Sequence, residues 1–436
     1  MKIGSRSVFL VVNCLAIGAA GLPTGWAAEV TGARVDIGDF LVTALDDQQV
    51  VHREELVEFL EEAPGNPPFI RSLEFRTETD RFAIANQKYS LRFYPSSLAE
   101  NRRSRELQTT ALAASQRERE LILHQALRWR YRLVLRFLHN RELLELNLDL
   151  LQMQRDKVQV LNQSVATPDF DIDALVRAQD QLTTTGLEVI TLENRDRQLA
   201  VEIGRCFPPS TQLDLNGGEL PDAVLISSLL DTLSWAVCAT SPYLRASQAE
   251  LELAGAGFNL MRSQERQIFN FFKVTYDYEN RLQTSEALFF EFGMRIPIRS
   301  GNQQELNRNQ LEFLTRTADH AELVRELELE LEQDRADLRG LLEQINLLEE
   351  LQALSPAETT LATMMRYEGT PPLSLLRLRE SAIKSDLQQA DLLYSLRIKY
   401  IELLDLSGTL SRLPLRNWLS TELEYLQPEA GHLSYE

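Results

Sequence analysis

Few residues in this chain are spaced for chemistry. The five histidines, His52, His124, His139, His320 and His432, are scattered. There is no His-Glu-x-x-His and no pair of Glu-x-x-His motifs, either of which would turn ligands toward one metal from helix faces. Gly255-Ala256-Gly257 begins like a dinucleotide-binding loop. Leu260 stands where the third glycine belongs and no strand precedes it, so small residues for close helix packing are the better reading. There is no Gly-x-Ser-x-Gly elbow and no phosphate loop. Carboxylates are abundant, but they alternate with apolar residues as the solvated face of long helices does. The expectation is a non-enzyme that binds no cofactor and no metal.

The cysteines say little more. Cys14 lies in the N-terminal apolar run, which leaves Cys206 and Cys238. They flank a connector rich in proline and glycine that a disulfide between them would close. Two free buried thiols is the alternative reading, and there is no CxxC pair.

The elements that would position any site follow one pattern, used twice. A hairpin with alternating apolar and polar residues runs into a very long helical stretch. In the first copy Leu73, Phe75 and Thr77 alternate with Glu74, Arg76 and Glu78, and Tyr89, Leu91 and Phe93 alternate with Ser90 and Arg92. Helix follows from about Ser97 to Gln163 and would be on the order of 100 Å long. Ala166-Thr167-Pro168-Asp169-Phe170-Asp171 turns the chain, and a helix returns over about Asp173 to Gly204. In the second copy a helix from Tyr243 to about Arg266 precedes the strands. Phe272, Val274, Tyr276 and Tyr278 share one face, as do Leu288, Phe290, Phe292, Met294 and Ile296. Helix resumes over about Gln303 to Leu354, with Asp334 the one polar residue in its heptad stripe. A loop over Ser355 to Pro372 and a last helix from Leu373 to Leu406, stopped by Gly408, complete the copy.

Period-two strands and helices of near-heptad period need different surroundings. The chain therefore reads as mainly α with a small β part: long antiparallel helical hairpins forming a coiled-coil barrel, plus four strands. The expected organisation is a signal peptide (1–28), an N-terminal segment (29–68) with a helix from Glu54 to Ala63, a first repeat (69–205), a connector (206–240), a second repeat (241–408) and a surface tail (409–436).

The first 28 residues carry Lys2 and Arg6, an apolar run from Val8 to Leu22 and small residues for cleavage after Ala27 or Ala28. No later stretch approaches the roughly 20 apolar residues of a spanning helix. If this protein crosses a bilayer it does so as strands, and the apolar strand face (Val274, Tyr276, Tyr278, Phe290, Phe292, Met294) would meet lipid. Four strands cannot close alone, since about eight are the practical minimum for a membrane barrel. Copies of the chain would supply the rest. A net charge of −19 disfavours nucleic acid as a partner. The arginine-rich run from Arg102 to Arg136, which includes Arg103, Arg105, Arg117, Arg119, Arg128, Arg130 and Arg132, reads as a solvated helix face with intrahelical pairs, or as a docking surface for an acidic partner.

Ser241-Pro242-Tyr243-Leu244-Arg245-Ala246-Ser247-Gln248-Ala249-Glu250 is similar to the Asn-Pro-x-Leu-x-Ala-Ala-x-Ala-Glu helix opening of TolC-like outer-membrane efflux channels, with Ser241 in place of asparagine. Phe289 to Pro297 followed by Arg299-Ser300-Gly301-Asn302 resembles their strand-to-helix junction. Tyr367-Glu368-Gly369-Thr370 before Leu375-Leu376, and Ala166-Thr167-Pro168 before Leu175, resemble their helical-hairpin tips. The resemblance spans about Pro67 to Gly408. The first half lacks a matching helix opening, with Asn66-Pro67-Pro68-Phe69 as a remnant, so the chain resembles a divergent member.

The resemblance implies a homotrimer with a twelve-stranded barrel in the outer membrane and a helical tunnel in the periplasm. It implies passive conduction, with a periplasmic adaptor (membrane-fusion) protein and an inner-membrane pump as partners. Thr167, Pro168, Gly369 and Thr370 would be the tip contacts with the adaptor. Asp169, Asp171, Asp173, Arg177, Arg366, Arg377 and Arg379 would be candidate aperture charges, because rings of like charge set pore selectivity. For each of these the ordinary alternative is a helix cap or a surface charge. The competing class is a periplasmic coiled-coil scaffold or adaptor without a pore.

Overall fold

Ser97 opens the longest element. Its Oγ accepts from the Glu100 amide at 3.0 Å and caps α3 (Leu98–Gln163), a helix of 66 residues. The computed structural model describes residues 34–62, 69–79, 87–166, 170–207, 212–213, 215, 220–232, 241–277, 288–294, 303–354, 357–364 and 371–426. Before α3 come β1 (Arg34–Val35), α1 (Ile37–Val42), α2 (Gln48–Glu62), β2 (Ile70–Thr79) and β3 (Gln87–Pro95). After it come α4 (Ile172–Gly204), β4 (Gln212–Leu213), α5 (Ala223–Thr232), α6 (Pro242–Glu265), β5 (Phe269–Asp277) and β6 (Leu288–Met294). The chain continues through α7 (Gln303–Leu354), α8 (Ala357–Met364) and α9 (Pro372–Leu406).

A helix as long as α3 is marginal without partners along its apolar stripe. Helices α4, α6 and α9 share that task, and α2 adds a shorter contact. The N-terminal half of α3 packs on α6, joined by Arg245 to Glu120 at 3.1 Å and Arg128 to Tyr243 at 3.3 Å. The C-terminal half packs on α4, where Asn140 Nδ2 donates to the Leu192 carbonyl at 3.0 Å. The second copy repeats the scheme. The first half of α7 lies on α6 (Arg316 to Glu250, 2.8 Å) and its second half on α9 (Lys399 to Asp334, 2.8 Å). The polar interruption in the α7 stripe, Asp334, is thus buried against a lysine of the returning helix. Gly255 does serve packing: a Cβ there would lie 3.2 Å from the Phe313 ring, and Phe258 stacks on Phe313 across the α6–α7 seam.

β2, β3, β5 and β6 form one antiparallel sheet in that order, so the two hairpins join through β3 and β5. β1 and β4 make a separate parallel pair. Between the sheet end and the tip end lies the main core. It centres on Phe40, Leu41, Tyr131, Phe137, Ile203, Leu396, Tyr400 and Leu404.

Four expectations need correction. The segment after Gly408 does not lie on the surface: Leu410, Leu415, Trp418, Leu419 and Leu426 are buried in the main core. Tyr131 pins it there, donating to the Arg416 carbonyl at 2.7 Å and accepting from the Trp418 amide at 3.2 Å. These apolar residues follow no helix or strand period, so pattern reading missed them. The stretch read as a loop before the last helix contains α8, and the N-terminal helix starts at Gln48 rather than Glu54. The arginine run is not all solvated either. Arg130 is only 3% exposed and donates to Thr43 and Asp47, tying α3 to the segment after α1.

Candidate functional site

The register of the four strands sorts their side chains into two opposed faces. One face carries three cross-strand rows: Leu73–Phe93–Phe272–Phe292, Phe75–Leu91–Val274–Phe290 and Thr77–Tyr89–Tyr276–Leu288. Aromatic contacts knit the rows, with Phe272 5.1 Å from Phe292 and 6.0 Å from Phe290 between ring centres. No described element packs across this face; the sheet's substantial contacts are all strand to strand. Phe290, Phe292 and Met294 are 62%, 63% and 69% exposed. Exposed apolar area of this extent marks an interaction surface.

The other face is polar. It holds the rows Glu74–Arg92–Lys273–Glu291, Arg76–Ser90–Thr275–Phe289 and Glu78–Lys88–Asp277. Lys273 pairs with Glu291 at 3.1 Å, Lys88 with Asp277 at 3.3 Å and Arg92 with Glu74 at 3.7 Å. The charged residues of the first hairpin, Arg76 and Glu78, therefore all point away from the aromatic side. Phe271 and Phe289 are apolar exceptions on the polar side, and Phe271 has a cross-strand partner. It lies over Gly293, where a Cβ would come within 2.3 Å of its ring, while Arg92 sits 4.3 Å from its centre. A glycine covered by a cross-strand aromatic is how sheets shield a bare backbone.

Of the expected apolar face, Val274, Tyr276, Phe290, Phe292 and Met294 are placed, and Tyr278 lies outside the described residues. The same holds for Thr167, Pro168, Gly369 and Thr370 at the tips, and for Asp169 and Arg366. Asp171 is the N-cap of α4, accepting from the Asp173 and Ala174 amides, with Arg177 3.8 Å away. Asp173 lies in the first turn of α4, where a negative charge meets the positive helix end. Arg377 and Arg379 are both exposed on α9. Cys206 is a half-buried free thiol whose pKa burial pushes up, and Cys238 lies outside the described residues.

Two polar clusters were not anticipated. Beside the main core, Asp405 of α9 is buried and gathers His124 (2.9 Å), Arg128 (3.0 Å) and Tyr243 (3.1 Å) from α3 and α6. Burial, then the Asp405 charge, pushes the Tyr243 phenol up to about 12. Toward the tips, Glu380 of α9 takes Lys157 of α3 at 2.7 Å and Lys384 at 2.8 Å. Burial opposes ionisation of Glu380, but the two lysines outweigh it and hold the carboxyl below its ordinary value. Nothing in local sequence marks either cluster, because their members come from distant helices. Among the described residues no group of three or more His, Cys, Asp or Glu could hold a metal ion, and no helix is long and apolar enough to span a membrane.

The margins of the helix layer are uncovered. On α4, Ile172, Leu187, Ile190 and Val201 are exposed; on α7, Leu311, Leu314, Leu329, Leu347 and Leu351 are exposed. Among the described residues β2 and β6 likewise end the sheet with unpaired edges.

No protein-family model matches the chain, and no curated protein matches it. Solved structures do. CusC, studied for conformational changes accompanying folding and transmembrane channel formation, is 12% identical, with a TM-score of 0.61 over 89% of this chain and 95% of its own. The outer membrane protein VceC from Vibrio cholerae is 14% identical, with a TM-score of 0.61 over 85% of this chain and 96% of its own. The MtrE outer membrane channel of Neisseria gonorrhoeae, in its open state, is 13% identical, with a TM-score of 0.60 over 85% of this chain and 88% of its own. Strand hairpins set in series with long helical hairpins, over nearly the whole described chain, are the TolC-like outer-membrane channel fold.

Proposed function

We propose that this protein is the outer-membrane channel subunit of an export or efflux system and that it works as a homotrimer. The observation that carries this reading is the sheet. One face is aromatic and uncovered, the other is a ladder of charged pairs, and both edges are free. In lipid every backbone group must be paired internally, so such a sheet must close on copies of itself. Closure puts the aromatic rows toward hydrocarbon and the Glu74–Arg92–Lys273–Glu291 ladder toward a water-filled lumen. Three copies give twelve strands, the number that the resemblance implies.

The helix margins support the same assembly. Head-to-tail packing of α4 on the neighbour's α7 would cover both exposed stripes and close a ring. The duct conducts passively, with its narrowest point at the helix tips. A periplasmic adaptor docks there and an inner-membrane pump supplies the energy. A periplasmic scaffold without a pore would leave the aromatic rows in water.

The test is fractionation followed by conductance. The protein should sediment with the outer membrane, need detergent, run as a heat-modifiable trimer and produce discrete conductance steps in a planar bilayer. A polypeptide that stays monodisperse as a monomer in detergent-free buffer would refute the proposal.

A further inference from the structure

A cavity of about 900 Å³ opens where the sheet meets the helices. Its upper wall is the foot of the aromatic face, Phe93 and Phe272, with Ile268 beside them. Its lower wall carries Arg103 from the first turns of α3 and Arg262 and Arg266 from the end of α6. Among the described residues no carboxylate lines it, on a chain whose net charge is −19. Arg103 is paired with Glu106, but Arg262 and Arg266 are exposed and have no hydrogen-bond or ion-pair partner among the described residues. Glu100, next in sequence to the lining residue Ala99, is already engaged by Arg71 and Gln264.

The position matters as much as the charge. The cavity is built mainly on the inner strands β3 and β5 and on the α3–α6 seam. Copies that add to the free edges β2 and β6 leave it open. It stays at the boundary between a face suited to hydrocarbon and a helical part suited to water.

We infer that this cavity binds an anionic glycerophospholipid of the periplasmic leaflet, an inference that rests on the outer-membrane reading above. The phosphate oxygens accept from Arg262 and Arg266, whose planar guanidinium groups match that geometry. The acyl chains run up the sheet against Phe93 and Phe272. Arg262 also lies in the last turn of α6, where a cation complements the helix dipole. That role alone requires neither an unpaired Arg266 nor an apolar wall.

Native mass spectrometry of the detergent-purified assembly, titrated with phosphatidylglycerol or phosphatidylcholine, tests the inference. Phosphatidylglycerol should be retained in preference to phosphatidylcholine. The double variant Arg262→Gln, Arg266→Gln should lose that retention about thirtyfold, as expected for two interfacial arginines. Arg339→Gln, an exposed change on α7, should not alter it. Equal retention of the two lipids by the unmodified protein overturns the inference whether or not the double variant assembles. So does unchanged retention by an assembled double variant. Displacement of the lipid by inorganic phosphate at millimolar concentration would show a free-phosphate site and overturn the lipid assignment. Failure of the protein to fractionate with the outer membrane is a separate result, and it would sink the channel reading itself.

Discussion

Placing a charge at Phe290 is the most direct way to ask which solvent meets the aromatic rows. Phe290 lies in register with Val274 and Leu91, and Leu91 is four residues above Pro95, where the sheet gives way to helix. At about 3.3 Å per residue and a tilt near 40°, that is on the order of 10 Å above the junction, close to the middle of an apolar band about 25 Å tall. An arginine at the bilayer midplane costs about 2–4 kcal/mol, so Phe290→Arg should cost roughly 6–12 kcal/mol per trimer. Thr275→Arg introduces the same charge on the polar face, one residue along β5 from Val274, where water would solvate it. The assay is the yield of heat-modifiable trimer in the outer-membrane fraction, with urea titration of protein refolded into vesicles to obtain the free energy. Phe290→Arg should abolish or strongly reduce assembly while Thr275→Arg assembles nearly as the unmodified protein does. Assembly of both, or equal failure of both, would refute the assignment of the two faces. Phe290→Asp and Phe292→Asp should fail in the same sense with a smaller penalty.

Four further outcomes follow from particular contacts. Gly293→Val should destabilise the sheet by about 1–3 kcal/mol, because the new side chain meets the Phe271 ring, and Phe271→Ala should restore part of the loss in a urea titration. Tyr131→Phe removes the hydroxyl that serves Arg416 and Trp418; it should cost about 1–3 kcal/mol and make the 409–426 segment cleavable by protease at an earlier stage of thermal melting. The Glu380 carboxyl has a depressed pKa in the folded state, so its contribution is fully present above the ordinary carboxylate range and is lost as pH falls through the lowered value. An acid melt followed by circular dichroism should show that loss, and Glu380→Gln should flatten it. Leu187→Lys with Ile190→Lys on the uncovered margin of α4 should leave helix content unchanged while lowering the trimer yield on a detergent gel.

Much of this architecture was legible before any coordinate. The bounds of α3, α7 and α9 follow from apolar periods sustained over many turns and from stop signals such as Gly408, whose positive φ of 72° ends α9 with Thr409 N bonded back to the Leu404 carbonyl. The amphipathic rows were legible too, because alternation along one strand states which side chains share a face. What escaped was whatever depends on two distant segments meeting. The Asp405 cluster draws on α3, α6 and α9, and the cover of Gly293 by Phe271 depends on a cross-strand register. The buried tail has no period for pattern reading to detect.

By itself, then, the sequence determined the local elements and their faces: side-chain period is a property of consecutive residues, and it dictates whether a segment coils or extends and which side avoids water. Only the tertiary structure decided that β3 pairs with β5, that α3 is shared among α4, α6 and α9, and that unpaired arginines collect at the foot of the aromatic face. Those arrangements are made by backbone hydrogen bonds and by packing between segments far apart in the chain. Neither leaves a mark in the order of neighbouring residues.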